Sequence, residues 1–218
     1  MFCGIKYGSV SKLVDVILRI YSPGVMSAET GHHFASPTNH FWRALHQGGL
    51  VQQFVPASED YTLPEKYNLG MTNLVDRPSA EAAELSAKEM LEGAPAFLDK
   101  VATWRPRIIC FVGKGIWLAV QKNLDSRIAA AAAQAGREKT TKPKDAFDYG
   151  LQPYTSSLIT PIPTGINRTL IWVMPSTSGR VVSHQLVDKI KLFSRLKQES
   201  DADKAGTLDT SQYRSIQL

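Results

Sequence analysis

The chain has 218 residues, 43% of them hydrophobic and 21% charged, the balance of a folded chain of ordinary domain size rather than a disordered or fibrous one. Its two cysteines exclude a disulfide-built scaffold, no run of about 18 apolar residues offers a membrane span, and the apolar stretch ahead of Lys6 is too short for a signal peptide. The net charge of +5 is compatible with an anionic partner such as nucleic acid, and the expectation is a soluble intracellular domain.

In chain order, MFCGI at residues 1–5 reads as the end of a buried strand. Residues 22–40 form a loop rich in Ser, Thr, Gly, Pro, His and Asn. A helix then starts near Thr38, carries Phe41, Trp42 and Leu45 on one face, and stops at Gly48-Gly49. Residues 50–68 read as irregular, and LGMTNLVDR at 69–77 as a strand and loop. Ser86 and Glu89 make a capping-box pattern for a helix running to Trp104, which Pro106 ends. Residues 107–112 are an apolar strand, a helix follows over 114–135, and 136–149 is a basic loop. Residues 155–159 and 169–174 read as strands, 183–198 as a helix, and 200–218 as a disordered tail. Strands alternating with helices predict a single α/β domain over 1–199, with a mainly parallel sheet covered on both faces. Ligands of such sheets bind at the carboxyl ends of the strands, so the polar loops 22–40, 72–77 and 175–180 are where chemistry is expected.

GHHFASPTNHFW at 31–42 offers three histidines. The nearest acid is Glu29 and the only upstream thiol is Cys3, a poor match to the three or four convergent ligands that zinc needs. A pocket wall suits the segment better: Phe34 supplies a flat apolar face and Asn39 a paired donor and acceptor. A loop whose polar side chains satisfy buried backbone is the competing reading. TNLVDR is by itself a common surface loop; Asn73 matters if it faces the same pocket as Phe34, because an amide can read the edge of a base. In PSTSGR at 175–180, hydroxyls and backbone N–H groups between a strand and a helix suit phosphate oxygens, and Arg180 can enter a duplex as a wedge; a plain capped turn is the alternative. GIKYGSVSK lacks the spacing of a phosphate-binding P-loop.

Taken together and in order, GHHFASPTNHFW, LPEKYNLGMTNLVDR, RPRIICFVGK, FDYGLQP and VMPSTSGR resemble the thymine-DNA glycosylase and mismatch-specific uracil-DNA glycosylase family, in a fungal-type version. The resemblance covers most of residues 22–198 and implies a three-layer α/β/α sandwich around a mainly parallel sheet. That family opens with Gly-Ile-Asn-Pro-Gly, whose asparagine positions the attacking water. Here Gly4-Ile5 and Pro23-Gly24 are present, but residues 6–22 stand where the family has one residue. Read back from Pro23, Ser22 takes the place of the catalytic asparagine; read forward from Ile5, Lys6 does.

A particular codon choice would account for the interruption. Lys-Tyr-Gly encoded AAG-TAT-GGN contains an intron start after AA, and Tyr-Ser encoded TAT-AGC contains an intron end that leaves C; joining them restores AAC, asparagine. The surplus of sixteen residues corresponds to 48 nucleotides, an intron length suited to a compact eukaryotic genome. Residues 6–22 are therefore expected to translate a retained intron largely, with a genuine loop insertion in the first strand-helix turn as the alternative, its LVDVILRI forming a helix or an added strand.

The resemblance further implies base excision by flipping on double-stranded DNA carrying G:U or G:T mismatches. Phe34 stacks on the extruded base and Asn73 bonds its polar edge, with His33 and Asn39 in support. Ser176 and Ser178 hold flanking phosphates, Gly179 allows close approach, and Arg180 fills the gap. Ser22, Pro23 and Gly24 form the substituted catalytic turn, so the chain as written is expected to be impaired. No metal or cofactor is implied, and a monomer in the nucleus is expected. A non-catalytic damage-binding module and a phosphate-binding α/β protein unrelated to DNA are the competing readings.

Overall fold

The structure, a computed structural model, describes residues 15–20, 24–74, 77, 79, 84, 86–134, 147–157 and 168–217. The strand expected at residues 1–5, Ser22, Pro23 and most of the basic loop lie outside the described residues.

Six strands form one sheet in the order β2-β1-β3-β5-β4-β6: β1 (Val16–Ile20), β2 (Leu69–Asn73), β3 (Ile108–Val112), β4 (Gly150–Ser157), β5 (Arg168–Met174) and β6 (Arg214–Gln217). Every pairing is parallel except that of β4 with β5. The apolar runs of β3 and β5 are buried on both faces, as expected of interior parallel strands. Ile108, Cys110, Leu170 and Trp172 face one core with Phe41 and Leu45 of α2 (Phe41–Gln47) and Phe193 and Leu196 of α6 (Leu186–Lys204). The alternate residues Ile109, Phe111, Ile171 and Val173 face a second core with Phe97 and Val101 of α4 (Ala87–Trp104) and Trp117 and Val120 of α5 (Lys114–Gln134). Period-2 alternation thus gives the three-layer α/β/α arrangement. The capping box at Ser86 is present in full: its side chain accepts from Glu89 N–H, and the Glu89 carboxylate accepts from Ser86 N–H. No helix among the described residues is long and apolar enough to cross a membrane.

Several elements differ from the sequence reading. The first strand is Val16–Ile20, drawn from the segment read as an insertion and paired on both sides, to β2 and β3. Its residues 16–18 are apolar and fully buried, so VILRI meets the requirement of an interior strand. The helix expected from Thr38 begins at Phe41, and two short helices, α1 (Val25–Thr30) and α3 (Leu63–Tyr67), occupy stretches read as loop. The C-terminal segment, expected as a disordered tail, is instead structured. α6 continues to Lys204 because Asp203 accepts from Arg107 and Arg168, each at 2.7 Å, while Lys204 pairs with Asp15 at 2.7 Å. These ion pairs pin α6 to residues just ahead of β1 and β3 and to the start of β5, at the sheet end away from the polar loops. Leu208 and Tyr213 then pack on the core and lead into β6 beside β4.

Candidate active site

The carboxyl ends of β1, β2 and β5 gather the polar loops. Gly24 is extended (φ −66°, ψ 161°) at the head of α1, and Gly31 ends that helix in the left-handed conformation, φ 75°. The chain then turns through Phe34, a non-glycine residue at φ 52°. Such a conformation costs about 1 kcal/mol or more and persists only where the surroundings fix it. The fixing contacts are on both sides: Trp42 Nε1–H donates to the His33 carbonyl at 3.1 Å, and Ala35 N–H donates to Ser27 Oγ at 3.2 Å. The Phe34 ring is 9% exposed and stacks on Phe41, with centroids 3.8 Å apart and planes within 9°. One ring face is therefore taken by the core.

His32 and His33 share one carboxylate. Asp60, in the 3-10 helix Ala57–Thr62, lies 3.1 Å from His32 Nδ1 and 3.0 Å from His33 Nδ1, and accepts the His33 backbone N–H at 2.9 Å. Burial opposes ionisation of Asp60, but the hydrogen bonds from His33 and His32 outweigh it and hold the carboxyl below its usual range. His33 Nε2 is buried without a partner among the described residues. Replacing Asp60 with alanine leaves three donors without an acceptor and is expected to lower stability by about 1–3 kcal/mol near neutral pH, read by chemical denaturation. A carboxyl with a depressed folded-state pKa contributes above its unfolded pKa and loses that contribution as pH falls through the folded one. The gap between parent and variant is therefore expected to close at the acid end.

Asn39 serves α2: its Oδ1 accepts the Phe41 N–H at 2.9 Å. Asn73, at the end of β2 and opposite Ile20 in register, has its Oδ1 buried with no partner among the described residues. Such an acceptor is left for a ligand or water. In the loop after β5, Ser176 Oγ accepts Ser178 N–H and Ser178 Oγ accepts Arg180 N–H, both at 3.3 Å, which shapes the turn and keeps each hydroxyl proton for another acceptor. Arg180 is exposed at the tip.

The structure brings the loops of Phe34 and Arg180 together. His40 N–H donates to the Thr177 carbonyl at 2.9 Å, and Gly179 approaches Thr38 so closely that a Cβ there would sit 2.4 Å from the Thr38 carbonyl oxygen. The lack of a side chain at 179 is thus used in packing against the neighbouring loop. Among the described residues, no three His, Cys, Asp or Glu side chains converge as a metal site.

Two residues that contact the candidate site residues or their loops escaped the sequence reading. Asp60 lay in a stretch read as irregular. Lys189 occupies the inward face of α6, three and four residues ahead of the buried Leu192 and Phe193; a lysine at that spacing was the available signal.

Similarity to known proteins agrees with this geometry. A 109-residue stretch, 49% of this chain, is 39% identical to the G/U mismatch-specific uracil DNA glycosylase of Schizosaccharomyces pombe, and it covers 33% of that protein. The chain thus spans about a third of the length of this relative. The sequence model of the Uracil DNA glycosylase superfamily matches residues 12–199, from before β1 to within α6, and so takes in every loop of the site. The chain belongs to the uracil DNA glycosylase superfamily.

Proposed function

We propose that this chain is a DNA base-excision glycosylase that hydrolyses the N-glycosidic bond of uracil, and of thymine or modified pyrimidines, mispaired with guanine in double-stranded DNA. The observation that carries the reading is the joining of the Phe34 loop to the Arg180 loop through His40, Thr177 and Gly179. A base pocket and a wedge must act at neighbouring points of one duplex, and two loops fastened together meet that need. The Phe34 ring stacks on the extruded base through the face turned away from Phe41, and Asn73 Oδ1, without a partner among the described residues, accepts from its polar edge. Ser176 and Ser178 donate to flanking phosphates, and Arg180 enters the space vacated in the stack. His33 and Asn39 hold the pocket wall. Water attacks C1′ of the sugar, with Ser22, Pro23 and Gly24 in the place of the family's catalytic residues. Serine in place of the family's asparagine makes the chain as written a weak enzyme. The proposal extends to a monomer working in the nucleus.

Ser22 also favours a second reading, a module that binds damage without cutting it. One experiment separates the two. The expected result is a retarded band with a uracil:guanine duplex that weakens steeply with salt, followed by slow but measurable alkali-labile cleavage. Binding without any strand cleavage selects the module, and no preference for the mismatched duplex removes both.

A further inference from the structure

Lys189 is 0% exposed and is among the largest fully buried side chains. Its Nζ donates to the Ser178 carbonyl at 2.9 Å and lies 3.1 Å from His40 Nδ1. Ser178 belongs to the Arg180 loop and His40 to the Phe34 loop, so one ammonium touches both. Among the described residues no carboxylate lies within ion-pair distance of it; the acid whose charge acts on it is its neighbour Asp188. With Lys189 in its ammonium form, Nζ has only protons to give, and His40 Nδ1 is then the unprotonated acceptor of a neutral imidazole.

We infer that Lys189 is a positioning residue that ties the wedge loop to the pocket loop, and that protonation of His40 releases the tie. The inference rests on the base-flipping reading above. The other links between the loops, the His40 N–H to Thr177 bond and the packing of Gly179 on Thr38, do not titrate; the Lys189 bridge does. Placing a proton on Nδ1 turns the acceptor into a donor and sets two cations face to face. The charged groups around the imidazole are Lys189 of α6 and Arg43 of its own helix, with Asp188 acting on Lys189. Burial, then Lys189 and Arg43, keeps the His40 pKa below the ordinary imidazole value. The folded state therefore favours neutral His40. Its stability contribution is intact above about pH 6.5 and declines as pH falls below that, and the bridge itself opens as pH passes the lowered folded-state pKa.

A buried ammonium without an ion-paired carboxylate costs stability, so Lys189→Met is expected to fold at least as firmly as the parent. The variant leaves Ser178 and His40 without their shared donor. Flipping is followed by 2-aminopurine fluorescence beside uracil in a uracil:guanine duplex, which needs no chemical step, at about pH 7.5 and about pH 5.5. Amide exchange over residues 176–181 is followed in the free protein. Lys189→Met is expected to bind matched duplex within about twofold of the parent, to lose the flipped-base signal about tenfold, and to exchange the wedge-loop amides about tenfold faster. His40→Asn keeps a neutral acceptor, so its flipping is expected to be level between the two pH values where the parent loses several-fold. Parental exchange and flipping in Lys189→Met overturn the inference, as does an acid loss that persists in His40→Asn. If the parent gives no flipped-base signal at either pH, the glycosylase reading fails, and the amide exchange still decides whether Lys189 ties the loops.

Discussion

Replacing Ser22 with asparagine is expected to raise excision of uracil opposite guanine by about 10²–10³-fold, measured as single-turnover release of the base. Two residues before position 22, β1 ends at Ile20 beside Asn73; two residues after it, Gly24 opens α1. The residue in the asparagine's place must hold a water against C1′. Serine has one short hydroxyl, while asparagine reaches further and presents a donor and an acceptor together. A companion chain tests where the interruption came from. With Lys6–Ser22 replaced by one asparagine, Phe2–Ile5 must take the place of Val16–Ile20 between β2 and β3. The retained-intron reading expects that shortened chain to fold and to cleave at least as fast as Ser22→Asn. An unfolded shortened chain beside an active Ser22→Asn shows instead that VILRI is the protein's own strand. Equal, weak cleavage by the parent and both altered chains removes the role assigned to the asparagine.

The interior of the fold was legible because its signals are strong and local. Within RIICFV and TLIWVM, residues 108–112 and 170–174 are apolar at every position, as strands covered on both faces require, and both segments appear as strands. The Ser86 capping box needs only two residues at fixed spacing. Features that depend on distant partners were not legible. Residues 200–204 are polar and carry no apolar period, yet they are helical because Asp203 finds Arg107 and Arg168, 96 and 35 positions away in the chain. Thr38 has the right chemistry for a cap, but its hydroxyl pairs with Ser36 Oγ at 3.1 Å, the helix begins only at Phe41, and the side chain that accepts the Phe41 N–H is that of Asn39. Phe34, Asn73 and the serine turn were named as site candidates from residue type and order. The carboxylate that orients His32 and His33, and the ammonium between the loops, required the fold.

Arg180→Ala is expected to reduce the flipped-base population on a uracil:guanine duplex by about 10–100-fold while leaving matched-duplex affinity nearly unchanged. Extruding a base costs a few kcal/mol in lost stacking and pairing, and a side chain that fills the gap offsets part of that cost only after extrusion. A phosphate contact acts differently. It strengthens binding to any duplex, and its removal lowers the salt slope by about one unit for each lost charge. The two roles therefore separate in a pair of titrations over salt, one with matched and one with mismatched duplex, each read by retardation and by 2-aminopurine emission. Equal weakening on both duplexes assigns Arg180 to the backbone and removes the wedge. The turn geometry favours the wedge: Ser178 Oγ accepts the Arg180 N–H at 3.3 Å, Gly179 lies hard against the pocket loop, and the exposed side chain of residue 180 starts from a fixed base. If Lys189 acts by holding that base in place, the two substitutions share one effect. Arg180→Ala combined with Lys189→Met is then expected to flip no more weakly than Arg180→Ala alone, whereas independent contributions multiply.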